Sequence, residues 1–210
     1  MVPLKETAEA KQRLLVPSEL RTALALAFAA DAVTALLEAR HVQEVVVVGG
    51  RGLPPALLAS PAVHRIADVR GLNPAVEAGV RVARRRSRRG VLVLHADLPC
   101  LRADEVDALL EQAPSGAAAA LADADGEGTT ALLLPAGVTL VAAFGPGSYA
   151  RHVDAGARPV TGELASVRRD VDTVEHLQAA RLLGVGPHTA ALLPSATSPP
   201  PIRESCTAHT

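Results

Sequence analysis

At 210 residues, 49% hydrophobic and 20% charged, the chain has the length of one domain with a substantial core. A net charge of −1 excludes a general polyanion-binding field, and Phe28, Phe144 and Tyr149 are too few rings for a stacking platform on single-stranded nucleic acid. Cys100 and Cys206 supply no disulfide framework, no apolar run approaches the about 20 residues of a membrane span, and Met1-Val2-Pro3-Leu4-Lys5 lacks a signal-peptide layout, so the expected setting is the cytoplasm. Every basic residue except Lys5 and Lys11 is an arginine, in a composition typical of a GC-rich genome.

The first predicted helix runs from about Ser18 to Ala39, with Ser18 as N-cap and Leu20, Leu24, Phe28, Val33 and Leu36 at helical spacing. Asp31 falls close to that apolar stripe, an unusual place for a carboxylate. Glu44 to Gly50 reads as a buried β-branched strand ending in glycines. Arg51 to Ala62, with its prolines, is irregular or at most a short helix. Asn73-Pro74 predicts a helix start with Asn as the cap, and that helix dissolves into Arg84 to Arg89, a solvated face at a helix end. Val91 to Leu94 is a second buried strand, followed by His95-Ala96-Asp97-Leu98-Pro99 and a helix carrying Val106, Leu109 and Leu110. Strands are expected over Ala117–Leu121, Ala131–Leu134 and Val167–Val171, and a helix from the capping-box spacing at Asp172 to Leu183, stopped by Gly184. The expected domain covers residues 1–193; the Pro-, Ser- and Thr-rich residues 194–210 read as a disordered tail.

Apolar strands alternating with amphipathic helices imply an α/β fold with a largely parallel sheet covered on both faces, whose ligands bind at the carboxyl ends of strands. Asp97 sits at such an edge, and Pro99 keeps the chain from continuing as strand. Asp170 and Asp172 flank Val171, so an extended backbone turns both carboxylates to one side. Carboxylate oxygens without clustered Cys or His are ligands for Mg²⁺ rather than zinc, and the three aspartates make a candidate magnesium site. Read locally, Asp97 and Asp172 also suit helix caps or turns. Gly126-Glu127-Gly128-Thr129-Thr130 and Phe144-Gly145-Pro146-Gly147-Ser148 are candidate anion-binding loops, the second with Arg151 and His152 within one turn. His95 suits a hydrogen bonder behind the site better than a base, and Cys100 suits a buried thiol. Val48 to Gly52 lacks the dinucleotide-binding glycine spacing.

The ordered set Pro3-Leu4-Lys5, Ala10-Lys11, Arg13-Leu14, Asp31, Leu72-Asn73, Asp97-Leu98-Pro99, Gly128-Thr129-Thr130-Ala131-Leu132, Phe144 to Ser148, Arg151-His152, Asp170-Val171-Asp172-Thr173 and Leu183 to Pro187 resembles the 2-phospholactate or phosphoenolpyruvate guanylyltransferases of coenzyme F-420 biosynthesis. The resemblance covers roughly residues 2–190. It implies a Rossmann-like nucleotidyltransferase fold with a mostly parallel central sheet flanked by helices, and transfer of GMP from GTP to a phosphorylated three-carbon acid. Pyrophosphate would leave, and an unstable product would pass to the next pathway enzyme. The composition favours phosphoenolpyruvate as acceptor. By the same resemblance Asp97, Asp170 and Asp172 hold Mg²⁺ and act in catalysis, Thr130, Gly145 and Ser148 contact the acceptor, and Lys5, Lys11 and Asn73 contact the nucleotide. The resemblance also implies a hydrophobic strand ahead of Lys5, of which Met1 and Val2 would be the remnant. Other transferases of this fold, acting on a molybdenum cofactor or a sugar phosphate, and a non-catalytic nucleotide-binding paralogue are the competing readings.

Overall fold

The computed structural model describes residues 1–4, 13–139 and 141–194; Lys5, Lys11 and the expected tail from residue 195 onward lie outside them. The described residues form, in chain order, β1 (Val2–Leu4), α1 (Ser18–Glu38), β2 (Val45–Gly49), α2 (Pro55–Leu58), β3 (Val63–Ile66), α3 (Leu72–Arg86), β4 (Val91–Leu94), α4 (Ala103–Glu111), β5 (Ala119–Ala122), β6 (Thr129–Leu134), α5 (Ser148–Asp154), β7 (Arg158–Pro159), α6 (Ala165–Arg168), α7 (Val174–Leu183) and α8 (Pro187–Ala190).

β1, β2 and β3 pair in parallel. β4, β6 and β5 pair antiparallel, with β7 parallel to β5 at the edge. Met1 joins the two sets: its amine donates to the Leu92 carbonyl at 2.5 Å and its carbonyl accepts from the Leu94 N–H at 3.0 Å. The segment expected to be a strand remnant is therefore a short central strand, buried and bonded on both sides. The expected mostly parallel sheet is present, with antiparallel pairing confined to β6 in the mixed second half. Parallel neighbours need a crossover of a dozen or more residues, and the short turn between β5 and β6 permits only antiparallel pairing.

Two-residue periodicity builds the core. In β2, Val45 and Val47 face one hydrophobic cluster while Val46 and Val48 face the other; in β6, Ala131 and Leu133 alternate in the same way with Leu132 and Leu134. α1, α4 and α6 cover the first face and α3 covers the second. α1 has the length and apolarity of a membrane-spanning helix, contrary to the sequence expectation, but Ala27–Val33 and neighbouring residues are buried against the sheet.

Asp31 explains its own position on α1. Its carboxylate, 4% exposed, accepts the His188 and Thr189 backbone N–H groups at 2.9 Å each and so receives the start of α8. Gly186 permits the approach, since a Cβ there would lie 2.4 Å from the Asp31 carboxyl carbon.

Candidate functional site

The loop after β4 carries Asp97 at the carboxyl edge of the sheet. Leu98 and Cys100, 0% and 1% exposed, anchor it from below. Two backbone bonds hold it from the sides: the Val171 N–H donates to the Asp97 carbonyl at 3.1 Å, and the Gly186 N–H donates to the Pro99 carbonyl at 2.8 Å. The His95 N–H donates to the Thr130 carbonyl at 3.1 Å, placing Thr130 on the neighbouring strand. The His95 ring lies 3.8 Å from the Asp97 carboxylate and packs 5.1 Å from Phe144. The chain thus gathers Asp97, Thr130 and residues 170–172 at one edge.

Val171 is 0% exposed and its two neighbours are partly exposed, as an extended backbone requires. The expected strand Val167–Val171, however, is not formed: Val167 and Arg168 end the short helix α6, and residues 169–171 leave it without joining a sheet. The reason lies in its partners. The Ser166 N–H donates to Glu105 and the Ser166 hydroxyl accepts the Arg102 N–H, while Arg168 donates to the Ala122 and Val160 carbonyls. β7, not this segment, pairs with β5. Thr173 caps α7, its hydroxyl accepting the His176 N–H, so the carboxylate of Asp172 is not the cap. The Asp172 N–H donates to His176 Nδ1 at 3.4 Å, and His176 Nε2 lies 3.5 Å from Asp125 on the β5–β6 turn.

Among the described residues, no group of three or more His, Cys, Asp or Glu side chains is arranged to hold a metal ion. The three aspartates are brought to one edge, joined by the Asp97–Val171 backbone bond, without forming a closed cage. Carboxylates at such an edge are the donor type suited to Mg²⁺, which takes one or two of them and completes its shell with water and substrate phosphates.

The second cluster is more tightly built. Asn73 does not cap α3, whose N-cap is Gly71; instead its amide donates to the Phe144 carbonyl at 3.2 Å and accepts the Phe144 N–H at 2.8 Å. Arg151 donates to the Ala143 carbonyl at 2.9 and 3.2 Å and to the Pro146 carbonyl at 2.6 Å, so the guanidinium expected to face an anion wraps its own loop. Gly145 carries φ +123°, a conformation side chains rarely adopt, as the loop turns into α5. Ser148 opens α5 at 1% exposure, and its hydroxyl donates to Thr129 Oγ1 at 3.2 Å. His152 points inward at 0% exposure, with Nδ1 2.9 Å from Thr129 Oγ1 and Nε2 accepting the Ala143 N–H at 3.1 Å. Its ring meets Phe144 edge-on at 4.8 Å. The sequence carried a signal for this role, since Ser148 and His152 stand four residues apart on one helical face.

Thr130, beside this cluster, has a hydroxyl that is buried and has no hydrogen-bond partner among the described residues. The glycine loop before it is not the expected phosphate cradle. The Glu127 and Gly128 N–H groups donate to the Asp123 carboxylate at 2.9 and 2.6 Å, closing a turn.

Residues 25–181 match the model of the MobA-like NTP transferase domain. The chain is 46% identical over 197 residues to the phosphoenolpyruvate guanylyltransferase of Thermomonospora curvata, spanning 91% of this chain and 86% of that protein. It is 45% identical over 197 residues to the enzyme of the same name from Streptomyces avermitilis, spanning 91% of each. The chain belongs to the phosphoenolpyruvate guanylyltransferase family. Solved structures agree on the fold. A nucleotidyl transferase from Methanothermobacter thermautotroptrophicus superposes with TM-score 0.57 at 16% identity, covering 87% of this chain and 95% of the other. A 4-diphosphocytidyl-2C-methyl-D-erythritol synthase gives 0.56 at 19%, covering 87% and 96%. The Asp97 edge and the Thr130 cluster both lie within the residues matched to the NTP transferase domain, and Ser148 and His152 lie there too.

Proposed function

We propose that this member of the phosphoenolpyruvate guanylyltransferase family transfers the GMP unit of GTP to the phosphate of phosphoenolpyruvate. A phosphate oxygen of the acceptor attacks the α-phosphorus, the bond to the β-phosphate oxygen breaks, and pyrophosphate leaves. The product is enolpyruvoyl-2-diphospho-5'-guanosine, an intermediate on the way to coenzyme F-420. What supports the acceptor most is the 46% identity to a relative named for it across 91% of the chain.

The acceptor phosphate is ionised at neutral pH and needs no base to activate it. The obstacle is electrostatic, because two polyanions must come within bonding distance. Asp97, Asp170 and Asp172 are the residues that would hold Mg²⁺, which when bound supplies charge neutralisation between the phosphates. Thr130, Gly145 and Ser148 form the acceptor end, where the buried Thr130 hydroxyl, which has no partner among the described residues, is matched by an oxyanion. Lys5 and Lys11 are assigned to the triphosphate. Asn73 serves the nucleotide end indirectly, its amide being committed to Phe144. Catalysis rests on positioning and on charge compensation rather than on a covalent intermediate. The reaction is assigned to the cytoplasm, with the labile product passed to the enzyme that consumes it.

The test crosses GTP, ATP and CTP with phosphoenolpyruvate, 2-phospho-L-lactate and 3-phosphoglycerate in the presence of Mg²⁺. Pyrophosphate release and product mass are followed. GTP with phosphoenolpyruvate is expected to give the fastest turnover; no pyrophosphate in any pairing overturns the assignment.

A further inference from the structure

His152 takes part in no step above, yet it is wholly buried and its two hydrogen bonds have fixed directions. The Ala143 N–H can only donate, so Nε2, 3.1 Å away, accepts and carries no proton. A neutral imidazole has one N–H. That proton therefore sits on Nδ1 and is donated to Thr129 Oγ1 at 2.9 Å. Burial, reinforced by the nearby Arg151 and His95, lowers the pKa of His152 and keeps the ring in this neutral form.

The consequence reaches Ser148. With one lone pair of Thr129 Oγ1 taken by His152, the Thr129 proton is available to Ser148 Oγ, 3.2 Å away. Hydroxyl protons rotate to suit their partners. The Ser148 proton, which points to Thr129 in this structure, can turn instead to an anionic oxygen, with Thr129 donating to Ser148 in return. The backbone N–H of Ala143 has no alternative and fixes the first link, from His152 to Thr129; the Thr129–Ser148 link keeps both directions.

We propose that His152 is a positioning residue for the acceptor end of the site, fixing the loop from Ala143 to Ser148 and setting the Thr129–Ser148 pair so that Ser148 donates to the phosphate or carboxylate of the acceptor. The inference rests on the reading of Ser148 as an acceptor contact. It assigns His152 no contact with substrate: the ring holds the loop from behind through Ala143 and Phe144, and it reaches the ligand only through two hydroxyls.

Four variants separate the links. Thr129→Val removes the relay hydroxyl at nearly constant volume, and Thr129→Ser restores it. His152→Gln keeps an acceptor near the Nε2 position and loses the donor to Thr129; His152→Asn keeps a donor near the Nδ1 position. KM for phosphoenolpyruvate and for GTP is measured for each, with melting temperature alongside. Thr129→Val and His152→Gln are expected to raise the acceptor KM about tenfold, as for loss of one hydrogen bond to a charged group, with GTP KM within about twofold. Thr129→Ser and His152→Asn are expected to recover most of that loss. Equal rises for both substrates, or an acceptor KM unmoved by Thr129→Val, overturn the inference. Ser148→Ala distinguishes the levels: an unchanged acceptor KM there overturns the acceptor reading itself, whereas a raised one beside a silent Thr129→Val overturns only the role of His152. Nitrogen-15 spectra of the imidazole in the wild-type chain provide a check free of substitutions. The Nδ1–H tautomer at neutral pH is expected, and the Nε2–H tautomer overturns the inference.

Discussion

The two halves of the sheet, joined at Met1, are stabilised in different ways. β1, β2 and β3 bury apolar side chains and contribute no buried polar side chain to the core. The mixed half ends in Thr129, Thr130, Ser148 and His152, all buried and polar, with Asn73 and Arg151 tying the same loop from outside. Apolar packing tolerates small displacements, whereas a buried polar group costs stability unless its partner sits in the right place. A network of this kind at one end of a site fixes geometry at the expense of tolerance to substitution. Under the proposed acceptor reading of Thr130, Gly145 and Ser148, the contacts that discriminate the small acceptor would fall in the mixed half.

The largest expected effect comes from Asp97, which stands after β4 where the halves meet. Asp97→Asn keeps the backbone carbonyl that accepts from Val171 and removes only the charge. Turnover is expected to fall about 10³-fold, with the melting temperature within about 2 °C of wild type. A collapse of stability with little specific loss of rate would break the comparison, because it would make this edge structural. Asp31→Ala comes next and acts on stability. It strands two backbone N–H groups of α8 in a buried setting, with an expected loss of about 2–4 kcal/mol read from urea unfolding. The Gly186 bond to Pro99 lies on the same segment, so kcat is expected to fall in the folded fraction too. An Asp31→Ala chain as stable as wild type would mean that α8 docks through its apolar contacts alone.

How much of this was legible depends on whether the determinants are local. Apolar runs gave β2 and β4 their places, and Asp97 followed from a strand end and a proline. β3 escaped because His64 and Arg65 interrupt its apolar pattern at a partly exposed edge, and β7 is only two residues long. Val167 and Val171 are both 0% exposed, but only Val167 lies in α6, where tertiary bonds to Ser166 and Arg168 hold the chain as a helical turn; Val171 is buried from the irregular segment that follows. The glycines of 145–147 hid the start of α5. The buried polar network around Phe144 and His152 was illegible for a different reason. Asn73 and Phe144 are 71 residues apart, and Thr129 and His152 are 23 apart; only folding introduces them. Side chains that looked ready for an anion, Arg151 above all, proved to be satisfied by carbonyls of their own loop, which no residue pattern distinguishes from a ligand site.

The smallest expected effect is a pH dependence, and it sharpens the contrast between the halves most directly. Burial first, then Arg151 and His95, depresses the folded-state pKa of His152 below its ordinary 6.5. On acidification through 6.5 the unfolded chain takes up a proton that the folded chain refuses, so stability falls as pH drops and the loss is complete only below the depressed value. The Met1 amine, pulled by burial from 8.0 to about 5, adds a slope of the same sign at higher pH. The contribution of His152 is therefore the difference between wild type and His152→Asn, followed by urea unfolding from pH 7.5 to about 5. Wild type is expected to lose more stability than His152→Asn over this range, by less than the Asp31→Ala effect. Hydrogen exchange locates the change. A protonated Nε2 cannot accept from Ala143, so protection of the Ala143 amide, corrected for the intrinsic pH dependence, is expected to fall while that of Val46 and Val47 in β2 holds. Parallel loss of protection in both places would mean that acid loosens the sheet as a whole, and the polar end of the mixed half would then have no separate stability to contribute to acceptor choice.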